Sequence, residues 1–250
     1  MEHREPKRAE EPRRPQGRWA RIGRIVLIGI LALALIAAGG HLLKRTTAAS
    51  AARTDVREGL PSARAALSEK STRLQDLVEP ILGTPQQSAT RLDCDFSTRD
   101  RGWFPYSYFQ NCTLVTRTVY EVGAESSREL GDALDAADTD GWLGFPEWGV
   151  RSEDTCRLVK YSSGNAPGED RIEIRHFPPG TARSEERGCG ISNAATSLSD
   201  DDTHLDLEAI DPARGWVMTT LHQPVSRTEL GCSFPPIIFC NNPLSRVQVP

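Results

Sequence analysis

The chain is poor in the residue types that most often carry chemistry. It has 5 histidines and no cysteine pair spaced as CxxC or CxxxC, so it offers no zinc-site pattern. No GxSxG elbow occurs: Gly190-Ile191-Ser192-Asn193-Ala194 lacks the closing glycine and any strand-turn-helix context. No internal repeat is present. Lysine is scarce, 4 residues against 26 arginines, a bias that fits the codon use of a GC-rich bacterial genome. The first 93 residues contain no cysteine; all 6 lie from Cys94 onward. The composition excludes a motif-defined metalloenzyme or serine hydrolase, and no cofactor is expected.

What is present is a long apolar run. Residues 25–43 hold 19 positions without Asp, Glu, Lys or Arg, with His41 as the one titratable side chain. At the helical rise this length crosses a hydrocarbon core of about 30 Å, so the run reads as a single transmembrane helix with the lipid bilayer as its partner. Arg18, Arg21 and Arg24 precede it; Lys44 and Arg45 follow. Residues 1–45 carry 10 basic and 4 acidic side chains, which leaves 30 − 10 = 20 basic and 34 − 4 = 30 acidic for residues 46–250. The asymmetry places residues 1–24 as a basic, disordered cytoplasmic tail and the C-terminal domain outside. A cleaved signal peptide is the rival reading, with Ala49-Ser50-Ala51 as its site. The length of the run and the intervening Lys44-Arg45 favour an uncleaved anchor.

Six cysteines confined to the translocated part fit an oxidising compartment. Local strand pairing favours Cys94–Cys112, Cys156–Cys189 and Cys232–Cys240 among the fifteen connectivities.

Residues 44–57 read as a small-residue linker. Leu60, Leu67, Leu74 and Ile81 then recur every seven residues, with Ala63, Lys70 and Leu77 between them, which predicts an amphipathic helix over 58–83 ending near Gly83-Thr84-Pro85. Such a stripe serves either a stalk-like homodimer or packing on its own domain, and Lys70 in the seam favours packing.

From Arg91 the period falls to two. Strands are expected around 91–96, 112–122, 156–161, 171–177, 203–210, 216–222 and 237–240, with a turn over 97–102. A helix should start at the capping box Ser126-Ser127-Arg128-Glu129. The fold class is α+β: an anchor, a stalk-like helix, and over 91–250 a disulfide-bonded antiparallel sheet of six or seven strands with one main helix.

Candidate sites are few. Trp103, Phe104, Tyr106, Tyr108 and Phe109 place five of the sixteen aromatics within seven residues, suited to recognition of protein or glycan if exposed and to core packing if not. Asp138, Asp140, Gly141 and Glu147 fall on four EF-hand loop positions, but Ala136 stands where the first carboxylate belongs. A helix ending in a polar turn, with Trp142 folded onto the core, accounts for the same residues. Asp200-Asp201-Asp202 reads as a solvated loop. His176, His204 and His222 are the three imidazoles past the anchor and His41. The acidic domain argues against nucleic acid as a partner. A non-catalytic binding or accessory module for an envelope protein or polymer is the expectation; an anchored hydrolase assembled from distant residues is the alternative.

Overall fold

A computed structural model describes residues 16–101, 104–122, 127–143, 157–163, 171–179, 205–206, 209–211, 213–233 and 240–249. Helix α1 (Gln16–Leu82) runs 67 residues without a break. It takes in the apolar run, the 44–57 segment and the heptad stripe, so three expected pieces are one element. Alanine and arginine, strong helix formers, dominate the supposed linker. Thr46 and Thr47 donate their hydroxyls back to the Leu43 carbonyl at 2.9 and 3.0 Å, which leaves the main-chain ladder intact. Ala48, Ala52 and Val56 are buried, so tertiary contact secures the segment as well. Gly83 ends the helix at φ 75°, its N–H donating to the Glu79 carbonyl at 2.8 Å.

Five strands follow: β1 (Gln87–Arg101), β2 (Phe104–Val122), β3 (Arg157–Ser163), β4 (Arg171–Phe177) and β5 (Gly215–Gly231), with helix α2 (Ser127–Ala137) between β2 and β3. They form an antiparallel sheet in the order β1-β2-β5-β4-β3. The described residues of the segment expected as a strand over 203–210 are not in a strand: residues 205–206 have no regular structure, and the Ala209 N–H closes a turn onto the Asp206 carbonyl at 3.2 Å. Its alternation serves a single contact, Leu205 joining Ile210 against Val119, Phe177, Trp216 and Met218. The Gln87 side chain brackets Asp206 instead. Its Nε2 donates to the Asp206 carbonyl at 2.9 Å and its Oε1 accepts the Asp206 N–H at 2.8 Å. Of the segment expected as a strand over 237–240, only Cys240 is described, and it is not in a strand.

Helix α1 lies along the inner face of the sheet, antiparallel to β5. Lys44 lies against Gly231, Asp55 accepts from Thr228 at 2.6 Å, Gly59 abuts Val225, and Lys70 donates to Gln223 at 2.8 Å. Ala63, Leu67, Leu74, Val78 and Leu82 thereby meet Leu92, Cys94, Cys112, Leu114 and Val217, with Leu130 and Leu134 of α2 in the same cluster. The heptad stripe packs on the chain's own sheet. Cys94 and Cys112 face each other across one rung and are bridged, as are Cys232 and Cys240. Cys156 and Cys189 lie outside the described residues.

Candidate functional site

The aromatic segment is a strand rather than a loop. Pairing of β1 with β2 continues through the residues expected to turn, out to the Arg101–Phe104 rung, with one irregularity between Arg99 and Asp100. Polar cross-strand bonds hold it: the Asn111 amide donates to Ser97 Oγ at 2.8 Å and to Asp95 at 3.3 Å. Asn111-Cys112-Thr113 matches the glycosylation sequon, and in the fold the Asn111 side chain is buried and engaged across the strands. Phe109 is buried, with the guanidinium groups of Arg99 and Arg227 over its ring at 5.6 and 4.8 Å. Tyr108 packs on Ala48, Ala52 and Leu230. Tyr106 remains 47% exposed, and among the described residues it is the exposed large apolar side chain outside α1. Phe104 opens β2. Trp103 lies outside the described residues. The five aromatics are thus divided, with Tyr108 and Phe109 serving packing and Tyr106 facing out.

A second constellation was not singled out from the sequence. On the sheet face away from α1, the registers place Arg91 and Asp93 of β1, Arg117 of β2, Thr220 and His222 of β5, and Arg171, Glu173 and Arg175 of β4 together. Arg91 pairs with Asp93 at 2.9 Å, and Glu173 pairs with Arg175 at 3.0 Å and with Arg171. Glu173 and Thr220 are buried. Burial pushes the His222 pKa down to about 4; Glu173 opposes the shift while Arg171, Arg117 and Arg91 reinforce it. Burial also lowers the Arg117 pKa, with Arg91 adding to the effect, and the buried Arg117 Nε has no hydrogen-bond partner among the described residues. Four arginines against two carboxylates, with His222 neutral, leave this face cationic in an otherwise acidic domain. The signal was present in the alternation Arg171-Ile172-Glu173-Ile174-Arg175, but only the register brings it beside Arg91 and Arg117.

His176 is fully buried on β4, its Nδ1 hydrogen-bonded to Ser127 Oγ at 2.8 Å. The bond ties the start of α2 to the sheet. Past the other end of that helix, the Asp138 N–H donates to the Leu134 carbonyl at 2.9 Å, and its carboxylate accepts the N–H groups of Trp142 and Leu143 at 2.8 and 2.7 Å. Gly141 takes φ 67°, Leu143 is buried, and Arg73 stacks on Trp142 at 4.6 Å while pairing with Asp140 at 3.5 Å. Both Asp138 oxygens are therefore engaged by main-chain N–H groups of a polar turn. Glu147, His204 and residues 200–202 lie outside the described residues.

Comparison with known protein families, curated proteins and solved structures returns no match for this chain. Fold and sites therefore define a class only: an antiparallel α+β domain built on a long helix whose N-terminal part is exposed and apolar.

Proposed function

We propose that this is a single-pass membrane protein of the cell envelope whose outer domain is a non-catalytic binding or accessory module. Residues 1–24 lie in the cytoplasm, 25–43 cross the bilayer, and the sheet domain stands outside. The observation that carries the reading is the division of labour along α1. Between Ile22 and Ile36 every residue of the helix is exposed, and the helix from Ile22 onward is long and apolar enough to cross a membrane. From Ala48 onward the same helix is the spine of the core. The exposed half needs a nonaqueous environment, because a contiguous apolar surface of this size is not left in water. Retention of the anchor is supported by the same packing, since Ala48 and Ala52 flank the small-residue cleavage pattern and are both buried.

The hydrolase reading draws on one contact, Ser127 with His176. The imidazole has no exposed surface, so a substrate carbonyl does not reach it, and the pair acts as a tie between α2 and β4.

Protease treatment of intact cells tests topology. The reading requires the sheet domain to be cut from outside while an N-terminal tag on the tail stays protected; the reverse pattern overturns it. Partner capture from cross-linked membranes, comparing the full chain with an Arg171→Ala variant of verified folding, tests the binding role through the exposed arginine of the cationic cluster. A partner held by the full chain and lost from the variant supports that role, and hydrolytic turnover by the purified chain would displace it.

A further inference from the structure

We infer that the tip of the β1–β2 hairpin is a second membrane contact, seated in the interfacial layer of the bilayer that α1 crosses; the inference rests on the anchor reading above. The structure supplies a ruler. The Lys44 ammonium lies against Gly231, Gly231 pairs with Tyr108, and Tyr108 packs on the cluster of Ala48 and Ala52. Tyr108 therefore stands within about one to two helical turns of the end of the apolar run. Strand β2 begins four residues nearer the membrane, at Phe104. Four residues of strand cover about 13 Å, the rise of about nine residues of helix. The hairpin therefore extends alongside the apolar run rather than stopping at its end.

The helix bears an independent mark of this overlap. Ala37, Gly40, His41 and Lys44, one face at helical spacing, are half-buried, while the residues between them are exposed. Domain cover thus reaches two turns below Lys44, into the segment that the bilayer surrounds.

The chemistry of the tip suits the interface. Tyr106 is exposed there, and tyrosine, an apolar body with a polar end, favours the headgroup level. The Cys232–Cys240 bridge backs it, with Cys232 Sγ 3.1 Å from the Tyr106 carbonyl oxygen, so the strand is braced rather than free to fold away. Beyond the Phe109–Glu229 rung, the described side chains of α1 and the hairpin include Lys44, Arg45 and Arg99 against one carboxylate, Asp100. A local excess of two positive charges among the described residues, in a domain that is acidic as a whole, complements anionic phospholipid headgroups.

The test uses the full chain in liposomes of phosphatidylcholine with a minor fraction of phosphatidylglycerol. The photo-crosslinking residue p-benzoylphenylalanine replaces Tyr106, Leu35 or Glu79 in turn, with both described disulfides verified by peptide mapping. Lipid adducts at positions 35 and 106 and none at 79 are expected. Adducts at 35 without 106 overturn the hairpin contact and leave the anchor reading standing. Absence of adducts at 35 overturns the anchor reading, and the inference built on it falls too.

Discussion

The Gln110 side chain pairs with the main chain of Gln248 in both directions. Its Nε2 donates to the Gln248 carbonyl at 2.6 Å, and its Oε1 accepts the Gln248 N–H at 2.7 Å. Gln110 is fully buried, so the C-terminal segment is clamped where water cannot substitute for the lost bonds. Gln110→Leu should cost on the order of 1–3 kcal/mol, because it leaves two main-chain groups unsatisfied. Hydrogen exchange should quicken over residues 244–249 first. Unchanged protection there would show that Val247 and Val249 hold the tail without the clamp.

Gly59 inverts the usual rule for glycine in a helix. Alanine at an ordinary helix position gains about 1 kcal/mol over glycine. Here a Cβ would run into the Val225 carbonyl oxygen, a main-chain atom with little freedom to move. Gly59→Ala should therefore lower the melting temperature, by about 1–3 kcal/mol of overpacking. A rise in melting temperature would mean that α1 and β5 separate easily.

The depressed pKa of His222 makes the domain acid-sensitive. Above pH 6.5 the imidazole is neutral folded and unfolded alike, and contributes nothing to pH dependence. As pH falls from about 6.5 to about 4, the unfolded chain takes up the proton first, so stability drops across that window and levels off below it. His222→Gln should flatten the stability profile between these limits, an effect on the order of 2 kcal/mol. Identical acid profiles for both proteins would mean that the Arg171, Arg117 and Arg91 environment leaves the imidazole unperturbed.

Ser127→Ala removes a structural tie and not a nucleophile. The variant should lose about 1 kcal/mol of stability through one hydrogen bond. Ester hydrolysis by the purified chain should equal the buffer background before and after the change. Turnover in the wild type that vanishes in the variant would reinstate the hydrolase reading.

Local chemistry was the legible part of this fold. The period-two segments from Arg91 and over 112–122, the Asp138-Gly141 turn, the presence of α2 and the stripe from Leu60 to Ile81 all follow from spacing and residue type. What escaped was decided at a distance. The 44–57 segment looks like a linker because Thr, Ser and Ala are small, yet Ala52 and Val56 need that smallness and shape to meet the sheet. The 203–210 alternation imitates a strand because Leu205 faces a cluster, while the main-chain partner is the side chain of Gln87. The aromatic segment looks like a loop because Ser97 to Gly102 are turn-forming residues, and cross-strand bonds from Asn111 override them. The cationic face demands a register among β1, β2, β5 and β4 that no spacing within a single strand contains.

On the anchor reading proposed above, one helix serves as both anchor and spine, and no swivel would separate the bilayer from the sheet. From Leu43 to Leu82 the rod measures about 58 Å, so a 10° tilt at the membrane sweeps its far end by about 10 Å. Changes in lipid thickness or in the angle of a neighbouring membrane segment would thus be delivered to the outer domain as displacement, with the molecule acting as a lever.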